Sequence, residues 1–380
     1  MPSSSSSTSL DKLDLSAYQT RRLRLRAQRL LRPGAGRIDT PASVLTAVCG
    51  VQAQDLPAGR LSIRARSDGL TDAQIETARL EERSIAWVWC LRGTLHLVSA
   101  EDARWLVPFL GPALIAGDRR RLHELGWDEA STGKGLQQLY KALDRCGELA
   151  RPDIIQLLKE NNLPWEGQAP VHLLFRAALE GRLLRGPLRG REETYVPFEP
   201  WLGEPQPLRR ETALARLAER YLSAYAPAAP EDLAKWSGLR AGDTRQAFEL
   251  IAGQLVPVTA AGQPAWILES QLEWLEEKDD FPTSVRLLPR FDTYLLGYAS
   301  RDLALDPAYT SRVFLGGIIK PTLLVNGQLC GIWNLTRRAS HLEVGIEPFE
   351  QLDDTLIPLI EAEVADIGRF LSEEVVELKH

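Results

Sequence analysis

The hydrophobic positions in the first part of the chain follow a helical period. Apolar residues recur every three or four positions in segments 16–31, 44–49, 58–66 and 71–80. Thr40 is suited to cap a helix that has Pro41 at its first position, and Thr71 with Gln74 has the spacing of a capping box. The pattern therefore predicts a series of capped helices.

The period then changes to that of strands. Residues 85–91 and 94–98 are strand-like and flank Arg92-Gly93, which predicts a β-hairpin. Ser99 and Asp102 then open another capped helix. Several helices followed by a hairpin is the element order of a winged helix, which we assign to residues 11–125. The serine-rich residues 1–10 are expected to be a disordered tail.

A similar order of elements occurs twice more. The predicted helices are 136–143, 148–161, 169–180, 213–224, 231–237 and 244–251, and the predicted wings are 183–195 and 255–268. These patterns predict second and third winged helices in residues 126–205 and 206–283.

Strand patterns dominate the last part of the chain. Asn326-Gly327 lies between two alternating runs and is a strong hairpin signal. Residues 287–298 also look β-rich, and residues 353–370 predict an amphipathic closing helix. The expected fold is α+β: three tandem winged-helix domains followed by a C-terminal β-rich domain in residues 284–380.

Composition adds few constraints. Hydrophobic residues make up 44% of the chain and charged residues 25%, as in ordinary globular proteins. No apolar run has the length of a membrane span, and no secretory signal pattern opens the chain. The four cysteines and five histidines show neither metal-ligand nor disulfide spacing. We therefore expect a cytoplasmic protein with reduced thiols, no metal and no cofactor.

The charge is divided unevenly along the chain. The net charge is −6, but residues 342–380 carry −9, which leaves +3 for the first 341 residues. Between residues 16 and 38 there are seven arginines and no acidic residue. These arginines either form a solvated helix face or line a DNA surface.

Gln52 and Gln54 are the most distinctive polar pair. In an extended segment they share one face, with Ala53 on the other, whereas in a helix they point about 200° apart. The chain is therefore expected to be extended, or tightly turned, at Gln52. Pro57 is expected to keep Leu56 out of a helix. Two neutral amides on one face can hold a water or solvate a developing positive charge. The alternative is that they bond stray backbone groups at a helix end.

Four motifs in order indicate a family. They are Gln52-Ala53-Gln54, residues 92–98 (RGTLHLV), residues 288–301 (LPRFD, LLGY and Arg301), and Asn326-Gly327 before residues 331–333 (GIW). Together they resemble the tandem winged-helix DNA glycosylases that include AlkZ and YcaQ. The resemblance covers about residues 18–370, and the Gln-apolar-Gln motif is similar to that of the AlkZ branch.

The resemblance implies a fold, a partner and an activity. It implies a C-shaped molecule whose C-terminal region is barrel-like and which binds double-stranded DNA containing alkylated purines. It also implies cleavage of the N-glycosidic bond of bulky or crosslinked N7-alkylguanine, with N3-alkyladenine as a second candidate, in DNA repair or in self-resistance to an alkylating natural product. Gln52 and Gln54 are then the catalytic residues. We further expect a monomer that associates with the nucleoid.

The remaining candidates are residues for DNA binding. They are Arg21, Arg22, Arg60, Arg64, His96, Arg185, Arg189, Arg191, Arg290 and Arg301. His96 equally fits a strand residue facing away from DNA, and Arg301 either contacts DNA or pairs with Asp292. Trp87 and Trp89 more often belong to a core than to a base-stacking platform.

The role of Asp55, the need for a lysine and the class of function each have alternatives. Asp55 is either a general base or, as we favour, a helix-end residue or arginine partner. The lysines nearest to the motif in sequence are Lys12 and Lys134, so no Schiff-base step is suggested and a monofunctional enzyme is expected. The alternative functions are a non-catalytic DNA-binding transcription regulator and a protein-interaction scaffold.

Overall fold

The structure is a computed structural model that describes residues 13–31, 39–276, 282–339, 341–373 and 376–379. Residues 1–10, which we expected to be a disordered tail, lie outside the described residues, as does Lys12. The described chain mixes helices and sheets, which confirms the α+β class. None of its described helices is long and apolar enough to cross a membrane.

The first segment contains the predicted helices and hairpin. Its elements are β1 (Leu13–Leu15), α1 (Ala17–Ala27), α2 (Pro41–Val48), β2 (Val51–Gln52), α3 (Leu56–Arg64), α4 (Asp72–Leu80), β3 (Ile85–Trp89), β4 (Leu95–Ser99) and α5 (Ala100–Glu124). Thr40 and Thr71 cap α2 and α4, and β3 pairs with β4 as an antiparallel hairpin. These predictions are confirmed. Helix α1 ends earlier than expected, at Ala27, because Arg29 adopts a positive φ of 58°.

The second segment repeats helices and a wing. Its elements are α6 (Glu129–Cys146), β5 (Leu149–Ala150), α7 (Arg151–Glu160), α8 (Ala169–Leu179), β6 (Leu183–Arg189), β7 (Glu192–Pro197) and α9 (Phe198–Leu202). The helix expected from residue 148 begins at Arg151, because Leu149 and Ala150 pair with β7 instead.

One sheet joins these two segments. Six strands of the described chain are ordered β2-β4-β3-β6-β7-β5, and β3 meets β6 where Trp87 lies opposite Arg185. The two hairpins thus protect each other's inner edges, which would otherwise expose unpaired backbone groups. The division into separate winged helices stays a prediction, because this sheet crosses the expected boundary after residue 125.

The third segment also has the predicted order. Its elements are α10 (Arg210–Tyr225), α11 (Pro230–Ser237), α12 (Ala241–Leu250), β8 (Leu255–Ala260), β9 (Gln263–Leu268) and α13 (Glu273–Glu276). Strand β1 adds to β8 in a parallel pair, which the sequence pattern did not predict. Tyr221, Tyr225 and Trp236 pack together, with the Trp236 ring 5.2 Å and 5.3 Å from the two tyrosine rings.

The C-terminal segment holds an open sheet. Its elements are β10 (Val285–Leu288), α14 (Thr293–Leu296), α15 (Thr310–Val313), β11 (Phe314–Leu315), β12 (Ile318–Ile319), β13 (Thr322–Val325), β14 (Gln328–Arg337), β15 (Leu342–Pro348), α16 (Ile357–Leu371) and β16 (Val376–Lys379). The hairpin at Asn326-Gly327 and the closing helix are confirmed.

Two expectations for this segment are wrong. In the described chain the sheet runs β10-β13-β14-β15-β16 without closing, so it is not a barrel. Ile360, Val364 and Ile367 of α16 cover its apolar face beside Trp333, so burial does not require closure. Residues 293–296 form α14 rather than a strand, because Asp292 accepts a hydrogen bond from the Tyr294 amide at 2.9 Å and starts a helix.

Buried ion pairs join the first segment to the last. Both terminal nitrogens of Arg66 lie 2.7 Å from the carboxylate of Asp292, and neither side chain is exposed. Burial by itself raises the pKa of Asp292, but the Arg66 guanidinium more than offsets it and holds that pKa below its ordinary value. The pair therefore stays charged inside the protein.

Candidate active site

The glutamine pair lies on the short segment between helices α2 and α3. Helix α2 ends at Cys49 and Gly50, whose φ angles are 53° and 89°. The chain then enters β2, where Gln52 lies opposite His96 of β4. The Ala53 amide continues this pairing by donating to the Leu95 carbonyl at 2.8 Å. The predicted extended conformation is confirmed at Gln52, and the chain then bends at Gln54 before α3 begins.

Both glutamines reach the same turn between β3 and β4. The Gln52 Oε1 atom accepts hydrogen bonds from the Arg92 guanidinium at 2.7 Å and from the Thr94 hydroxyl at 3.5 Å. The Gln54 Oε1 atom accepts one from the Leu95 amide at 3.3 Å. Gln52 is 9% exposed, whereas Gln54 is exposed to solvent. The pair therefore combines an anchored amide with a more accessible one.

The residue between them is part of the core. Ala53 is fully buried, and its carbonyl accepts a hydrogen bond from the Trp87 indole at 2.9 Å. A Cβ placed on Gly59 of α3 would lie only 2.7 Å from the Ala53 Cβ. This tight backing sets the position of the segment between the two amides.

Hydrogen bonding determines which way the two amides face. Backbone N–H groups and arginine only donate, so the atoms facing Leu95 and Arg92 must be amide oxygens. The Gln52 and Gln54 Nε2 groups make no hydrogen bond to any described residue. Each glutamine can therefore donate two hydrogen bonds to a ligand.

Asp55 has a structural role. Its Oδ1 atom caps α3 by accepting from the Ala58 amide at 3.2 Å, and its Oδ2 atom pairs with Arg290 at 3.2 Å. Both favoured interpretations, helix end and arginine partner, are confirmed. The expectation for Pro57 was wrong, because Leu56 belongs to α3 and the proline lies in its first turn.

Sequence reasoning missed Arg92 as a site residue. It named Arg92 as part of the hairpin turn and of the family motif at residues 92–98, but gave it no role in the site; the structure gives it a positive φ of 54°. Its guanidinium group contacts Gln52 and also donates to the Trp236 carbonyl at the end of α11. The hairpin prediction placed Arg92 in a turn, but no local signal indicated that this turn lies beside Gln52.

The same chain architecture occurs in known proteins. The family described as DNA glycosylase AlkZ-like matches residues 45–370, which is most of the chain. The chain belongs to the AlkZ-like DNA glycosylase family. The family resemblance expected from the motifs is thereby confirmed, and the protein is a DNA glycosylase.

Two further comparisons agree. An interstrand DNA cross-link repair glycosylase from Streptomyces sahachiroi is 26% identical over 348 residues, which cover 86% of this chain and 90% of that protein. The solved structure of Streptomyces sahachiroi DNA glycosylase AlkZ matches with a TM-score of 0.78 and 23% identity, covering 97% of this chain and all of that one. The structural match shows a shared fold.

His96 of this AlkZ-like protein is buried, which corrects its assignment as a residue that contacts DNA. It is 1% exposed, and its Nδ1 atom lies 3.0 Å from the Thr94 carbonyl. Because a carbonyl only accepts, Nδ1 carries the proton. Burial, aided by the charge of Arg92, lowers the pKa of His96 from 6.5 to about 3. The imidazole is therefore neutral at physiological pH.

Two arginines on α3 form ion pairs with carboxylates of the protein. Arg64 is 1% exposed, and its guanidinium group pairs with Glu363 at 3.2 Å and Asp366 at 2.9 Å. Arg60 pairs with Asp72 and Glu76, both at 3.0 Å. Arg64 cannot reach DNA from this position, so its assignment is corrected; Arg60 is engaged by two carboxylates.

The second wing presents its three arginines differently. Arg185 is buried among the rings of Trp87, Trp89 and Tyr195 and pairs with Glu193, so it does not face a ligand. Trp87 and Trp89 are buried core residues, as we favoured. Arg189 is half exposed and pairs with Glu148 at 2.6 Å, while Arg191 is exposed at the turn.

Three of the remaining candidates are partly exposed, one beside the glutamine pair and two on α1. Arg290 is 40% exposed and joins the glutamine pair through Asp55. Arg21 and Arg22 are half-buried on α1.

Arg301 does not pair with Asp292, which corrects that alternative, because Arg66 occupies Asp292. Instead, Arg301 donates to the Leu295 carbonyl at 3.1 Å and stacks over Phe314. Among the described residues, four of these candidates lie together at one site. Gln52 and Gln54 form its centre, His96 lies opposite Gln52 in the sheet, and Arg290 pairs with Asp55 next to Gln54.

Proposed function

We propose that this DNA glycosylase hydrolyses the N-glycosidic bond of bulky or crosslinked N7-alkylguanine, with N3-alkyladenine as a second substrate. Gln52 and Gln54 are the proposed catalytic residues. The observation that carries the proposal is the pair of oriented neutral amides whose N–H groups have no partner in the described chain. The related cross-link repair glycosylase supports the substrate class.

The chemistry of the substrate explains why neutral groups suffice. Alkylation at guanine N7 leaves the base positively charged, so the base departs without a general acid. The remaining requirement is to stabilise an oxocarbenium-like sugar and to orient a water. Preorganised dipoles can do both without changing their own protonation state.

The two glutamines divide these tasks. The Gln54 oxygen accepts a single long hydrogen bond from the Leu95 amide, so a lone pair stays available for the water or for the sugar cation. The Gln52 oxygen faces a guanidinium group, so this residue acts mainly through its N–H groups. Those groups can hold the water or a sugar-phosphate oxygen in position.

The ionisable neighbours support hydrolysis by neutral groups. Asp55 is occupied by the α3 cap and by Arg290, so it is not a free general base. His96 is neutral and buried. Lys134 donates to the Asn161 carbonyl in the second segment at 2.8 Å, which supports a monofunctional enzyme without a Schiff-base step.

The substrate in this proposal is double-stranded DNA held by a C-shaped monomer. Arg290 beside the site and Arg191 on the second wing are the best-placed phosphate contacts, followed by Arg21, Arg22 and Arg189. We propose that the enzyme acts on the nucleoid in the cytoplasm, in repair or in self-resistance to an alkylating natural product.

The test is base excision from duplex DNA that carries one N7-methylguanine or one bulky N7 adduct. After incubation, alkali cleaves abasic sites and strand scission is measured. Gln52→Ala and Gln54→Ala should each lower the excision rate by about 10²- to 10³-fold. Gln156→Ala, an exposed glutamine on α7, is the matched control and should excise at the wild-type rate.

Other results would redirect the assignment. If scission stays at the spontaneous rate for both adducts while the undamaged duplex is bound, the protein is a DNA-binding regulator and the pair is structural. If both variants keep full activity, catalysis belongs to other residues.

A further inference from the structure

Arg92 is a half-buried cation that has no acidic partner among the described residues. Its two terminal nitrogens donate to two neutral oxygens, the Gln52 side-chain carbonyl at 2.7 Å and the Trp236 backbone carbonyl. Burial lowers the pKa of Arg92, yet an arginine stays protonated in proteins. A buried charge held only by carbonyls is costly, so this arrangement calls for an explanation beyond packing.

The contact with Gln52 controls the orientation of an amide. A glutamine side chain can rotate to exchange its oxygen and its NH₂ group, and in solution both orientations are populated. Because arginine has no acceptor, only the orientation with the oxygen toward Arg92 forms the hydrogen bond. The Gln52 NH₂ group is thereby directed away from Arg92, where no described residue occupies it.

The third segment holds Arg92 in place. The Trp236 carbonyl lies in the last turn of α11, where backbone carbonyls lack helical partners and carry partial negative charge. The Trp236 ring is packed against Tyr221 and Tyr225, so this carbonyl is rigidly positioned. Gly238, which ends α11 with a φ of 81°, lies against the Arg92 backbone, where a Cβ would be 3.1 Å from the Arg92 Cα.

We propose that Arg92 is a positioning residue that links the third segment to catalysis by holding Gln52 in its donor-outward orientation. This inference rests on the proposed function, because it assigns Arg92 a role only through Gln52. It also explains the unusual backbone of the turn. A positive φ at a non-glycine residue is strained, and here it places the guanidinium group between Gln52 and α11.

The geometry separates this role from direct DNA binding. Arg92 is partly buried, and each of its terminal nitrogens already donates to a protein oxygen, so it has fewer N–H groups to offer a phosphate than an exposed arginine has. Loss of the side chain should therefore change the rate of the chemical step more than the affinity for DNA. Arg290, which is more exposed, should show the opposite behaviour.

The experiment is a double-mutant cycle under single-turnover conditions. Wild type, Arg92→Ala, Gln52→Ala and the double variant are compared on the duplex with one N7-methylguanine. DNA affinity is measured by fluorescence anisotropy and folding by thermal unfolding. We expect Arg92→Ala to slow excision roughly 10- to 100-fold, the range for hydrogen bonds to charged groups, with a change in Kd of less than about twofold.

The cycle distinguishes action through Gln52 from an independent role. If Arg92 acts through Gln52, Arg92→Ala should cause almost no further loss in the Gln52→Ala background. Arg92→Lys, which keeps the charge but cannot easily serve two oxygens at once, should retain intermediate activity. Arg83→Ala is the matched control, because Arg83 also has a positive φ, stacks on Trp201 and lies outside the site; it should excise at the wild-type rate.

Three results would overturn the inference. The first is an unchanged rate in folded Arg92→Ala or, should that variant not fold, in Arg92→Lys. The second is a loss that multiplies with that of Gln52→Ala, and the third is a rise in Kd that accounts for the whole loss. If Gln52→Ala excises at the wild-type rate, the proposed catalytic role of Gln52 is wrong. The cycle distinguishes that failure from a failure of the Arg92 inference, because the Gln52→Ala rate is measured on its own.

Discussion

Acidification should destabilise this protein through His96, and replacing the residue tests its burial. His96 lies opposite Gln52 in the sheet, and burial lowers its pKa from 6.5 to about 3. Between these two values the unfolded chain binds a proton that the native protein excludes. The free energy of unfolding therefore falls as the pH drops below about 6.5, and the loss continues toward pH 3.

The magnitude follows from the size of the shift. Going from about pH 7.5 to about pH 5.5, protonation of an unfolded-state histidine with a pKa near 6.5 costs the native state about 1.4 kcal/mol. At about pH 4.5 the cost reaches about 2.7 kcal/mol, because the native pKa is still lower. Carboxylates also contribute to acid unfolding, so the informative quantity is a difference between variants.

The assay is urea unfolding followed by tryptophan fluorescence at several pH values. Wild type should lose about 1.4 kcal/mol more than His96→Gln between about pH 7.5 and pH 5.5. His123→Gln, a change at an exposed position on α5, is the control and should follow the wild-type curve.

A specific result would refute this reasoning. If His96→Gln and wild type lose stability in parallel, His96 is protonated as easily in the native state as in the unfolded one. His96 would then be accessible to solvent beside Gln52, and a direct role for its charge in the site would have to be reconsidered.

Three further changes test the parts that support the site. Asp55→Asn keeps the α3 cap but loses a partly exposed ion pair, so excision should fall less than about tenfold in the single-turnover assay; a loss of 10² or more would indicate a general base. Arg66→Ala leaves Asp292 buried without its partner and should lower the free energy of unfolding by about 3–5 kcal/mol in urea; a change below about 1 kcal/mol would contradict the buried pair. Gly59→Ala should slow excision with little change in the unfolding midpoint, because its Cβ displaces Ala53 while alanine favours the helix by about 1 kcal/mol; unchanged excision would show that the segment yields freely.

Local patterns determined much of the fold before any contact was known. The caps at Thr40 and Thr71 and the hairpin at Asn326-Gly327 form as predicted, because each depends on hydrogen bonds or turn angles within a few residues. The extended conformation at Gln52 was likewise predictable, since a helix would have turned the Gln52 and Gln54 side chains about 200° apart. The family resemblance was inferred from short motifs in a set order, and the match of residues 45–370 to the AlkZ-like family confirms it.

The environment of each charged residue was decided only by the tertiary structure. Arg64 and Arg185 look like any other arginine in the sequence, yet one is buried against Glu363 and the other among aromatic rings. Whether an arginine faces a phosphate or a carboxylate depends on which distant residue the fold brings beside it. The hydrophobic period of a helix or strand does not reveal such contacts between residues far apart in the sequence.

The site shows the same division. Its two amides were predicted from the sequence, whereas their orientation depends on partners brought together by folding. Arg92 lies 40 positions from Gln52 and 144 positions from Trp236, and it contacts both. The order of residues determined which chemical groups the site has. Packing of the third segment against the first brings the Trp236 carbonyl to Arg92, and Arg92 fixes the direction of the Gln52 amide, because hydrogen-bond direction is a property of assembled neighbours and not of sequence spacing.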